Sequence, residues 1–91
     1  MNGQNEFRSV GEKRGLADRV VQEIETMILS GELEPDTSLP AERELAEQLN
    51  VSRSVVREAV RTLVTKGMLE TKQGVGTTVR QPSADQVSGP L

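Results

Sequence analysis

Residues 50–52, "NVS", separate two segments that each read as an amphipathic helix, and this spacing constrains the chain more than any other feature. Before it, residues 40–49 place Leu45, Ala46 and Leu49 on one face. After it, residues 53–66 place Val56, Ala59, Val60, Leu63 and Val64 on one side. Three residues are too few for the helices to run comfortably antiparallel, so they cross as in a helix-turn-helix. Asn50 tolerates the left-handed conformation that ends a helix. Ser52 supplies an N-cap oxygen for the helix that follows. Pro40 suits a helix start, and Glu42 and Glu44 suit the positive end of its dipole.

The rest of the chain fits around this pair. Leu16, Val20, Ile24, Met27 and Ile28 form a helical stripe over residues 16–30, with Gly31 at its end. Pro35 and Asp36 are turn residues. After Gly67 the period changes. Runs over 68–72 and 77–80, joined by "QGVG", read as a β-hairpin. The expected fold is mainly α with a small β-hairpin: a winged helix-turn-helix of three helices plus a wing. Residues 1–15 read as a flexible arm, 16–80 as the folded domain, and 81–91 as the start of a linker.

Composition narrows the chemistry. Aromatic content is 1%, so the core is aliphatic, which favours helices. With no Cys and no His, disulfides, zinc sites and triad catalysis lose their usual residues. No phosphate-binding glycine loop of the right spacing is present, so an enzyme is not expected, and neither is a cofactor in this domain. No apolar run reaches membrane-spanning length, so no membrane partner is expected. The net charge of −3 is unevenly spread: residues 1–51 carry −6 and residues 52–91 carry +3. A basic face on an acidic domain is therefore possible, and local field governs contact with phosphate.

Arg53, Arg57 and Arg61 recur every four residues and line one side of the third helix. Arginine takes guanine O6 and N7 together, or grips phosphate. Ser52, Arg53, Ser54 and Arg57 occupy the helix start, whose backbone N–H groups attract phosphate. A solvated face is the plain alternative for such a stripe, and for Arg61 it is at least as good a reading. Glu58 has Arg61 or Thr62 within helical reach, and Arg43 has a choice between Glu47 and phosphate. Glu42 and Glu44 read as dipole partners. Gly74 and Gly76 serve any tight hairpin, and the tip is small enough for a minor groove.

Residues 39–79, "LPAERELAEQLNVSRSVVREAVRTLVTKGMLETKQGVGTTV", resemble the DNA-binding domain of the GntR family of bacterial transcription regulators, and its FadR-like branch in particular. Leu39, Pro40, Glu42, Arg43, Leu45, Ala46, Val51, Ser52, Arg53, Val56, Arg57, Glu58, Ala59, Leu63 and Gly67 carry the likeness, which covers residues 16–80. Ala41 stands where a capping Ser is frequent, Asn50 and Asp36 where Gly is usual, and Val75 leaves the wing tip uncharged.

The resemblance implies DNA contacts from Arg43, from Ser52, Arg53, Ser54, Val55 and Arg57, and from Gln73, Gly74 and Val75 at the wing tip. Val55 lacks a hydroxyl but has methyls suited to thymine. It further implies a homodimer on a short palindromic operator in double-stranded DNA. The recognition helix, 52–66, enters the major groove and the wing, 68–80, meets the minor groove. A metabolite acts only through a C-terminal effector-binding domain beyond these residues. The expected function is a cytoplasmic, metabolite-responsive regulator, a repressor. The alternative is a winged-helix protein-interaction module that does not bind DNA.

Overall fold

The computed structural model describes residues 2–80, with side chains from residue 14 onward. Three helices precede a hairpin: α1 (Asn2–Leu29), α2 (Glu42–Leu49), α3 (Arg53–Thr65), β1 (Leu69–Lys72) and β2 (Gly76–Val79). This is the winged helix-turn-helix. Residues 81–91, where a linker was expected, lie outside the described residues.

One aliphatic core joins all five elements. Ala17, Val20, Val21 and Ile24 supply it from α1, at the i, i+3, i+4, i+7 spacing of a helix face. Leu45 and Ala46 come from α2, Val55, Val56, Ala59 and Leu63 from α3, and Leu69 and Val79 from the hairpin. Val64 departs from the expected apolar side. It is 37% exposed, because it lies on the edge of the α3 face that Leu63 centres.

The α2–α3 turn is made as its residues predict. Asn50 adopts φ 58°, ψ 46°. Its N–H donates to the Glu47 carbonyl (3.2 Å), and the Val51 N–H donates to the Ala46 carbonyl (3.0 Å), closing α2 in a Schellman arrangement. Ser52 Oγ then accepts the Val55 N–H at 3.2 Å and opens α3. Gly67, at φ 80°, repeats the same closure at the far end of α3, with Met68 N–H donating to the Leu63 carbonyl (2.9 Å). A β-carbon at Gly67 has space, so it is the positive φ that favours glycine.

Three further features differ from the sequence reading. Backbone helix continues from Asn2 into α1, where an irregular arm was expected over 1–15. No proline interrupts this stretch, and extending an anchored helix adds a hydrogen bond for each residue ordered. The hairpin is also shorter than expected, with Lys72 facing Gly76 across a three-residue tip. Finally, residues 36–39 are more than a turn. Asp36 N–H donates to the Val79 carbonyl (2.8 Å), Val79 N–H to the Thr37 carbonyl (2.8 Å) and Leu39 N–H to the Thr77 carbonyl (2.9 Å). Ser38 thereby bridges Thr78 and covers the outer edge of β2.

Two stability outcomes follow from burial. Leu63 is 0% exposed, and Leu63→Ala is expected to cost about 2–5 kcal/mol, enough to unfold much of a small domain. Urea denaturation followed by circular dichroism measures this. Thr78 is 3% exposed and its Oγ1 finds no partner among the described residues. Thr78→Val keeps the shape and removes the unpaired hydroxyl, so the urea midpoint is expected to rise, by about 1 kcal/mol in stability.

Candidate nucleic-acid interface

The start of α3 is the exposed end of the helix pair. Ser52 caps it, and its hydroxyl also lies 3.2 Å from Ser54 Oγ. Arg53 and Arg57, one turn apart, project from the same side and remain 60% and 55% exposed at the side chain. The first turn of α2 runs beside them, because the short turn folds α2 back across the start of α3. Glu42 stands in that turn, and its carboxylate joins both arginines.

The geometry is asymmetric. Arg57 binds side-on: Nε donates to Glu42 Oε2 (2.9 Å) and Nη2 donates to Oε1 (3.0 Å). Arg53 adds one bond, from Nε to Oε1 (3.2 Å). The bonds from Arg57 hold the Glu42 carboxyl below the usual carboxylate range; desolvation opposes them in part, and the bond from Arg53 adds a lesser lowering. Glu42 in turn raises Arg57 above its ordinary value. Glu42 and Arg57 therefore both stay charged at neutral pH. Arg57 Nη1 and both terminal nitrogens of Arg53 are not used by Glu42.

Other sequence candidates fall into place around this triad. Arg43, next to Glu42 on α2, is exposed and makes no ion pair with Glu47 or any other described residue. Arg61 is exposed and lines a shallow surface groove with Ser54, Arg57 and Glu58, so it shares the outward face of α3. Glu58 pairs with neither of the partners considered for it: the Thr62 hydroxyl donates to its backbone carbonyl instead (3.1 Å). Gln73, Gly74 and Val75 form the exposed hairpin tip, with Val75 61% exposed. No hydrogen bond or ion pair among the described residues links the tip to α3.

Val55 requires correction. It is 2% exposed and packs in the core beside Val56, Ala59 and Leu63. Its side chain has no surface to offer a base, and its local part is to donate its N–H to the Ser52 cap. Glu42 is the residue that sequence reasoning missed. It was read as a dipole partner, and its contacts with residues 11 and 15 positions later appear only once α2 crosses α3.

The comparisons with known proteins agree with this architecture. A family model for bacterial regulatory proteins of the gntR family matches residues 16–79. The HTH-type transcriptional repressor NagR of Bacillus subtilis (strain 168) is 44% identical over 68 residues, covering 75% of this chain and 28% of that protein. The HTH-type transcriptional repressor NanR of Enterobacter sp. (strain 638) is 42% identical over 79 residues, covering 87% of this chain and 30% of that protein. The chain thus spans less than a third of the length of these curated relatives. Among solved structures, AraR(DBD) in complex with operator ORR3 matches with a TM-score of 0.66 at 41% identity, over 70% of this chain and 77% of that one. With the family model covering well over half of its residues, the chain belongs to the GntR family of bacterial regulatory proteins.

Proposed function

We propose that this chain binds duplex DNA sequence-specifically and serves a metabolite-responsive transcription regulator that acts as a repressor. The observation that carries this reading is the exposed start of α3, where Arg53 and Arg57 stand side by side on an otherwise acidic protein. NagR and NanR are repressors, and AraR(DBD) binds operator DNA; both facts support the reading.

In this mechanism α3 enters the major groove and the wing tip, Gln73, Gly74 and Val75, meets the neighbouring minor groove. Arg53 and Arg57 address base edges or adjacent phosphates with the nitrogens that Glu42 leaves open. Arg43 holds backbone phosphate, and Ser52 and Ser54 add hydroxyls beside the N–H groups of the helix start. Two copies meet on a short palindromic operator, matching two-fold symmetry in the DNA. A further, C-terminal domain receives the metabolite, as in the FadR-like branch. The domain needs no cofactor for this task and works in the bacterial cytoplasm, where the DNA is.

The test is a fluorescence-anisotropy titration against a duplex selected from a random pool and against an unselected duplex, over a salt series. Steep loss of affinity with salt and a clear preference for the selected duplex support the reading; no binding to either at low salt refutes it. Arg57→Ala is expected to cost about 1–3 kcal/mol on the selected duplex and to relax preference at one base pair. Arg43→Ala is expected to weaken all duplexes alike and to lower the salt slope by about 1.

A further inference from the structure

Resting on the DNA reading above, we propose that Glu42 is a specificity-determining residue: its carboxylate, bonded to both Arg53 and Arg57, fixes which guanidinium edges face the DNA and removes charge from the recognition end. Neither half of this follows from a dipole partner, which needs only to sit in the first turn of α2.

The first half is geometric. Arg57 gives its Nε–Nη2 edge to Glu42, at 2.9 and 3.0 Å. A second planar acceptor, such as guanine with its O6 and N7, therefore meets the guanidinium at its Nη end. Arg53 gives up Nε alone and keeps both terminal nitrogens. Each arginine thus has an acceptor that favours one placement of its guanidinium before DNA arrives. Unheld, a long arginine side chain swings to the nearest phosphate, a contact that carries no sequence information. Beside the triad, Glu42 and Arg57 line a crevice of about 110 Å³ whose other walls include Leu39, Leu45, Val56 and Val60.

The second half is electrostatic. Two arginines and one carboxylate leave one net positive charge where two stood. Sequence-independent attraction to duplex scales with phosphates neutralised, so Glu42 weakens it. A duplex that offers no guanine at the right place then gains little, while a duplex that does still satisfies the open nitrogens. Discrimination rises as affinity for any duplex falls.

The 91-residue chain is first used to enrich a duplex from a random pool. Wild type, Glu42→Gln and Glu42→Asp are then titrated by anisotropy on that duplex and on an unselected one, over a salt series. Glu42→Gln keeps the shape and removes the charge. It is expected to bind the unselected duplex more tightly, with a steeper salt slope, and to lower the selected-to-unselected affinity ratio about threefold to tenfold. Glu42→Asp keeps the charge and loses the reach to both arginines. It is expected to leave the unselected duplex unchanged and still lower the ratio. If both variants shift the two duplexes by one common factor, or shift neither, Glu42 is only a structural residue and the inference is overturned. A wild type that enriches no duplex overturns the DNA reading itself, and this inference with it. A wild type that enriches one, with the ratio intact in both variants, overturns the inference alone.

Discussion

The turn between α2 and α3 is the constraint on which the exposed end of the molecule depends. Asn50 ends one helix in the left-handed region, and two residues later Ser52 caps the next. No spare residue lies between the closing and opening bonds, so the helices have little freedom to change their crossing. That crossing sends Leu45 and Ala46 to the same core as Val55 and Val56, and on the outer side it sets Glu42 against Arg53 and Arg57. Burial and ion pairing are two results of one backbone geometry. The buried side chains supply most of the stability, since ion pairs this exposed contribute little to folding.

Charge is sorted along α3. At its start stand the two arginines that share Glu42. At its far end Lys66 reaches Glu25 of α1 at 3.0 Å, tying the helix to its main packing partner and suiting the negative end of the helix dipole. Arg61, between them, makes no ion pair among the described residues. A protein with net charge −3 thus presents cationic groups on one helix face while its acids gather mostly on α1, α2 and the loop that joins them.

Much of this was legible before any coordinates. Asn50, Ser52 and Gly67 act through residue-specific conformations, so their identity announces their place. The helices and the hairpin follow from periods in the apolar residues. What could not be read depended on other information. Val55 was assigned to the DNA-facing side because the family resemblance sets residues 52–55, the start of the recognition helix, against DNA. In the folded chain Val55 lies on the buried face of α3 with Val56, Ala59 and Leu63. The Glu42 contacts span 11 and 15 residues and depend on the crossing of two helices. The pairing of residues 36–39 with β2 is made by backbone groups, which no side chain announces. The helical backbone of α1 from Asn2 likewise has no apolar period to reveal it.

That backbone pairing gives the wing a foundation. A two-stranded hairpin by itself is marginal in water, but β2 has a neighbour on both edges, β1 and the Ser38 bridge. Leu39 is bonded to Thr77, and only Pro40 and Ala41 separate it from Glu42. Three residue steps span no more than about 11 Å, and the proline among them has a locked φ. The hairpin is therefore hinged, through a short stiff strap, to the residue that gathers the two arginines. The separation between the base of the wing and the arginine pair is thus bounded by covalent geometry as well as by packing.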